Sequence, residues 1–218
     1  MTADIDELRA AVARACSGLA RSGLVTGTAG NVSARAGGLV AVTPTGARLA
    51  ELTATDIAVV DLDGTLVDGP FAPTSELPLH LAVYRHTDAS AVVHTHPRMA
   101  TAVACVADEL PCFHYGLLAL GGAIRVARYA TFGTDALADS VVAALDGRTA
   151  ALMGSHGAVT YGACVQAAVD ATELLEWACD VYLHACALGT PRVLGEDERA
   201  AVSAALAGYG ARRGPAWP

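Results

Sequence analysis

His94 and His96 stand two residues apart at the end of a short apolar run, "AVVHTHPRMA" (91–100). In a strand, alternate side chains share a face, so both imidazoles would leave its end in the same direction. Two ring nitrogens placed in this way can reach one metal ion, although hydrogen-bonded structural histidines fit the same spacing. A third histidine, His156, lies in "GSHG" (154–157), where Gly154 and Gly157 allow a tight turn that carries the ring into a cleft. Glu76 supplies an acidic partner. Three histidines and a carboxylate form the ligand set of an open catalytic zinc site, in which neutral imidazoles hold the ion and one position stays free for water or substrate. Glu76 also has an ordinary explanation, since a carboxylate in the first turn of a helix is favoured by unpaired amides and the macrodipole.

Three further stretches have the chemistry of anion sites. Thr74 and Ser75 bring two hydroxyls and free amides to a helix start, where negative charge is favoured. "GTAGN" (27–31), with Thr28, Gly30 and Asn31, and "TPTG" (43–46), with Thr45 and Gly46, combine glycine, hydroxyls and turns that suit a nest of amides around phosphate oxygens. None of the three contains Lys or Arg, and each taken alone reads as a plain turn.

These residues need a scaffold, and the hydrophobic pattern supplies one. Ile5, Leu8, Val12, Cys16 and Leu19 recur at helical steps, with acidic residues in the first turn and Gly23 past the end. Residues 26–35 form a glycine-punctuated loop entering a strand, and "AGG" turns it into "LVAVTP". "IAVVDLDGTLV" reads as a hairpin turning at Asp63-Gly64. A helix is expected from Thr74, capped by hydroxyls, with Glu76 in its first turn and Pro78 tolerated there because its missing N–H costs nothing. The "AVVHTH" strand follows, and Pro97 is placed to start another helix. "IRVARYA" reads as a strand, a helix capped by Thr134 runs to Leu145, and "TAALMGSHGAVTYG" is a strand, a turn and a second strand. A long helix from Val165 to Leu188 and a short one near "EDERAAV" complete the pattern. With no linker, repeat or low-complexity segment, residues 1–218 read as one α/β domain whose sheet is mixed or largely antiparallel.

Composition sets limits on function. The chain has 218 residues, 53% hydrophobic and 17% charged, which is globular. A formal net charge of −8 gives no electrostatic reason to expect nucleic acid or an anionic membrane as partner. The N-terminus is acidic and amphipathic, unlike an export signal, and no stretch reads as a bilayer span. The six cysteines form no C-x-x-C pair and fit a reduced, cytoplasmic setting. The sequence contains no lysine, so no side chain can form a Schiff base with a carbonyl substrate.

Taken together and in order, "GTAGNVSAR", "TPTG", "TSE", "HTH", "FHYG", "YATFGT" and "GSHG" resemble the class II aldolase/adducin family over nearly the whole chain. The resemblance implies a three-layer α/β/α fold and a zinc-dependent aldolase, a cytoplasmic homotetramer with active sites between subunits. Its substrate would be a ketose 1-phosphate, L-fuculose 1-phosphate or a close analogue, cleaved through an enediolate to dihydroxyacetone phosphate and a small aldehyde such as L-lactaldehyde. Carried over by position, it makes His94, His96 and His156 ligands of Zn2+, and Glu76 both ligand and base. Gly30, Asn31, Thr45, Gly46, Thr74 and Ser75 would hold the substrate phosphate, with Thr28 beside them. Tyr115 would be a catalytic tyrosine lent by the adjacent subunit, and Tyr209 one on the C-terminal tail. Relatives with the same metal site epimerise or dehydrate sugar phosphates, and adducins keep the fold as a scaffold without the metal, so these readings stand beside the aldolase. His80, four residues after Glu76, is read as packing or support and not as a ligand. His184, Trp177 and Tyr182 are read as structural or interface residues, and Arg212 and Arg213 as solvated charge.

Overall fold

The computed structural model describes the backbone of residues 5–210 and the side chains as far as residue 206. Chain order is α1 (Ile5–Arg21), β1 (Asn31–Ala36), β2 (Leu39–Val42), β3 (Ala58–Asp61), β4 (Leu66–Asp68), α2 (Leu77–His86), β5 (Ala91–Thr95) and α3 (Arg98–Ala104). It continues with β6 (Glu109–Leu110), β7 (Ile124–Ala127), α4 (Asp135–Leu145), β8 (Ala150–Met153), β9 (Gly157–Gly162), α5 (Val165–Leu188) and α6 (Glu196–Gly210). Among the described residues one nine-stranded sheet runs in the order β4-β3-β2-β1-β5-β9-β8-β7-β6. Every neighbouring pair is antiparallel except β7 with β8, so the sheet is mixed and largely antiparallel, as expected.

Side-chain alternation along the strands decides which helices cover which face. Val40, Val42, Val92 and Val159 point to one side and pack with Leu79 and Val83 of α2 and with Leu137 and Val141 of α4. Val32, Ala41, Ala91 and Val93 point to the other and pack with Val12 and Leu19 of α1 and Ala168 of α5. Farther along that second face, Leu152 and Ala158 meet Ala100 and Val103 of α3 and Leu175 and Cys179 of α5. Helices therefore cover both faces, which is the three-layer α/β/α arrangement. Burying Val and Leu side chains to this extent stabilises the layers by about 1.5–3 kcal/mol each.

Several elements differ in detail from the sequence pattern. α2 begins at Leu77 and not at Thr74, with Glu76 at the N-cap position and Pro78 inside the first turn. Thr74 Oγ1 accepts the Glu76 amide at 3.3 Å, a hydroxyl turn that leads into the helix. β7 stops at Ala127, so residues 128–130 are loop. The two-residue β6 and the 3-10 segment Tyr115–Leu120 are too short for periodicity to reveal, and α6 is 15 residues long. The hairpin turn at Asp63-Gly64 is present, held by Asp61 Oδ1, which accepts from the Asp63 and Thr65 amides.

Candidate metal centre

The antiparallel order places the last residues of β5, the first of β1 and β9, and the entry to α2 at one end of the sheet. Asn31 pairs with His94, and His94 in turn with Val159. His94 shares the face of Val92, which α2 covers, so its ring meets the carboxylate that α2 carries at its N-cap.

Glu76, His94, His96 and His156 converge there, each offering one ligand atom, all within 4.8 Å of one another. His94 is fully buried and Glu76 is 7% exposed, while His96 and His156 are half-buried. His94 Nδ1–H donates to the carbonyl of Ala158 at 2.9 Å, which leaves Nε2 as the free nitrogen, 3.0 Å from Glu76 Oε2. His96 Nε2 lies 3.0 Å from His94 Nε2, and His156 Nε2 lies 3.5 Å from Glu76 Oε1. Two bare imidazole nitrogens do not face each other at that distance without a proton or a cation between them. Glu76 Oε1 is buried and receives no hydrogen bond from the described residues. Both features fit a site built around a divalent ion, and imidazole with carboxylate suits zinc and its neighbours.

Electrostatics agree. Burial would raise the Glu76 carboxyl, but hydrogen bonds and charge from His94, the Asn31 amide and His156 overcome it and hold the group at about 2. Burial, with repulsion from His94 and His156, pushes His96 down to about 4 against the pull of Glu76. Burial and His94 likewise lower His156. His96 and His156 are thereby held neutral beside an ionised carboxylate, the protonation states that metal ligation requires of them.

The three hydroxyl and glycine stretches lie beside this cluster. The Thr43 amide donates to the Val32 carbonyl and the Thr74 amide to the Thr43 carbonyl, while the Thr45 amide donates to Ala72. "TPTG" and "TSE" are thus stitched side by side, with Thr74 buried and Thr45, Gly46, Ser75 and Thr28 exposed. Gly30 has φ +111°, and a Cβ there would lie 3.0 Å from the His94 carbonyl, so the third stretch is pressed against the end of β5. Asn31 is 4% exposed and is engaged at both ends of its amide: Nδ2 donates to Glu76 Oε2 at 2.9 Å and Oδ1 faces His80.

Tyr115 is not brought into the cluster within this chain. It opens the 3-10 segment Tyr115–Leu120, is 54% exposed, and stacks on His114, whose ring meets Trp177 edge-on. The side chain of Tyr209, and Arg212 and Arg213, lie outside the described residues. His184 is exposed on α5 and pairs with Asp180. The sequence reading passed over Ser33 and Tyr84, which with His80 form a buried polar chain behind Asn31. A signal was there: Asn31 and Ser33 are polar at alternate positions of one strand, and His80 and Tyr84 lie one helical turn apart.

No helix among the described residues is long and apolar enough to cross a membrane. Residues 10–183 match the family model described as the class II aldolase and adducin N-terminal domain. The chain is 36% identical over 192 residues to a 5-deoxy-D-ribulose 1-phosphate aldolase of Bacillus thuringiensis serovar kurstaki, covering 87% of this chain and 90% of that protein. It is 38% identical over 200 residues to the L-fuculose phosphate aldolase of Escherichia coli strain K12, covering 90% and 93%. The solved structure of an L-fuculose 1-phosphate aldolase superposes with a TM-score of 0.90 at 32% identity, over 94% of this chain and 98% of that one. Named aldolases of this kind support lyase activity. On sequence and fold alike, the chain belongs to the class II aldolase and adducin family.

Proposed function

We propose that this protein is a zinc-dependent aldolase that cleaves a ketose 1-phosphate between C3 and C4, giving dihydroxyacetone phosphate and a small aldehyde. The observation that carries this reading is the convergence of Glu76, His94, His96 and His156, with one buried carboxylate oxygen left without a donor. These four residues would hold the ion. Bound zinc would supply Lewis acidity at the ketose carbonyl, where negative charge collects as the carbon–carbon bond breaks.

The chain's own groups do the rest. Glu76 is ionised near neutral pH, the form a base must have before it takes a proton. In the synthetic direction it removes a proton from the carbon of dihydroxyacetone phosphate that becomes C3. Tyr115, supplied by a second copy of the chain, donates its phenol proton to the aldehyde oxygen as the C3–C4 bond forms. Cleavage is the reverse and starts from the form in which the proton sits on Glu76 and not on Tyr115: the C4 hydroxyl proton goes to the Tyr115 oxygen as the aldehyde forms, and C3 takes its proton from the Glu76 carboxyl. Its position away from the cluster and its exposure suit a homotetramer with active sites between subunits. Thr28, Gly30, Asn31, Thr45, Gly46, Thr74 and Ser75 would hold the substrate phosphate beside the cluster, and Tyr209 would complete the site. Six free cysteines suit a reduced cytoplasm.

The substrate reading can be narrowed. 5-Deoxyribulose 1-phosphate and fuculose 1-phosphate, named for the two relatives, both end in a methyl group. Their aldehyde products, acetaldehyde and lactaldehyde, share that end. A terminal-deoxy ketose 1-phosphate is therefore the class to test first. The purified zinc-loaded chain should release dihydroxyacetone phosphate from one of these two sugars and lose that activity on chelation. Release from neither, with xylulose 5-phosphate formed from ribulose 5-phosphate, would favour an epimerase. A chain that takes up no zinc would favour an adducin-like scaffold.

A further inference from the structure

Behind Glu76 a single file of buried polar groups crosses from α2 to β1 and back. Tyr84 and Ser33 hydroxyl oxygens lie 2.7 Å apart, and Ser33 Oγ lies 2.7 Å from His80 Nδ1. His80 Nε2 faces Asn31 Oδ1 at 2.5 Å, and Asn31 Nδ2 donates to Glu76 Oε2 at 2.9 Å. His80 and Ser33 are fully buried and Tyr84 is 3% exposed, so water does not partner these groups, and at the far end the Tyr84 oxygen also meets the Val92 backbone amide.

The direction of every bond follows from its last member. An ionised carboxylate only accepts, so the Asn31 NH2 group must face Glu76 and its carbonyl must face His80. His80 Nε2 must then carry a proton. With Nε2–H in the neutral ring, Nδ1 is the acceptor and takes the Ser33 hydroxyl proton. Ser33 has no second proton, so Tyr84 donates to it. Turning the Asn31 amide over would set its oxygen against the carboxylate and its NH2 against the His80 N–H, breaking two buried hydrogen bonds at once.

We infer that His80 is a positioning residue for the active site: its Nε2–H locks the Asn31 amide with the NH2 toward Glu76, and so fixes the carboxylate that faces the three histidines. His80 touches neither substrate nor metal and acts through Asn31. The role is distinct from helix packing because it depends on one donor at one ring position. It rests on the proposed aldolase only for its effect on turnover.

Glutamine and asparagine separate the two ring nitrogens. The amide nitrogen of Gln reaches the place of Nε2, whereas that of Asn reaches only the place of Nδ1. His80→Asn should lower Zn2+ affinity and kcat about 10–100-fold with KM little changed, as removal of a group supporting a metal ligand does. His80→Gln should recover most of both. Side-chain 15N NMR of the unaltered, metal-free chain at pH 8 should show His80 protonated at Nε2 and bare at Nδ1. The inference is overturned if the ring carries its proton on Nδ1, if Asn substitutes as well as Gln, or if both variants bind Zn2+ as the parent does. Should the variants fail to fold, the NMR result on the parent chain decides. Should the parent turn over neither methyl-ended ketose phosphate, the functional reading fails while the tautomer and the Zn2+ affinities still test His80.

Discussion

Asn31 and His94 are directly paired across β1 and β5, and both reach the same oxygen, Glu76 Oε2, at 2.9 and 3.0 Å. One carboxylate oxygen is thereby held by the sheet, and the other, Oε1, is turned toward His156 without a donor. The division suits a residue with two duties, one oxygen anchored and the other available. It also makes sense of a glutamate at the N-cap of α2, where helix amides alone would already favour a negative charge.

Glu76→Gln separates those duties. The three imidazoles remain, so with zinc in excess the variant should still load metal by elemental analysis, although with an affinity lowered at least as far as in His80→Asn. It cannot take a proton, and turnover should fall by about 10²–10⁴, the usual worth of general acid–base catalysis. Normal turnover in this variant would exclude Glu76 as the base.

His156→Ala should instead lose metal and activity together, because the half-buried cluster then retains two imidazoles. His184→Ala serves as the control. That ring lies exposed on α5 beside Asp180, and its removal should change neither metal content nor activity. Equal metal content in the two variants would place the ion elsewhere.

The histidine face of the cluster was legible in sequence because alternation in residues 91–96 puts His94 and His96 on one side, and glycines flank His156. The ends of helices and strands were less so. α2 starts three residues later than its hydroxyls suggest, because Thr74 spends its side chain on a turn and Glu76 takes the cap position. The Asn31–His80 contact joins residues 49 apart in sequence, and only sheet register and the crossing of α2 bring them together. Tyr115 is exposed on the 3-10 segment Tyr115–Leu120, too short for periodicity to reveal, and the fold does not carry it to the cluster of its own chain.

Acid should destabilise the metal-free chain in a defined window. An ordinary histidine titrates near 6.5, but burial holds His80 at about 3 and, with repulsion from neighbouring rings, His96 at about 4. Below 6.5 the unfolded chain therefore binds protons that the folded chain refuses. The stability is present in full above that value and is lost as pH falls toward 3. Glu76 acts in the same direction lower down: its carboxyl, at about 2 against a usual 4.5, adds stability that disappears between those values. Urea midpoints of the chelated chain should fall steadily from about pH 7 to about pH 4, and His80→Gln should flatten that slope. A slope unchanged by the substitution would mean that His80 is not held neutral.

Gly157 tests whether the ligands suffice without the backbone that aims them. Its Cα lies where β9 leaves the turn of His156 and passes the end of β5. A Cβ there would sit 2.5 Å from the Thr95 carbonyl oxygen and 2.9 Å from Cδ2 of His96. Real Cβ atoms do not approach so closely, so one strand end must move, and the softer response is rotation of the half-buried His96 ring. Gly157→Ala changes no ligand, cap or charge, and overpacking of this kind costs about 1–3 kcal/mol. It should lower the melting temperature modestly and weaken metal binding with all four ligands still present. If metal affinity stays at the parent level while stability falls, the shift is absorbed by β9 and the position of His96 does not depend on that contact. If both fall together, the approach of the two strand ends sets the geometry of the site.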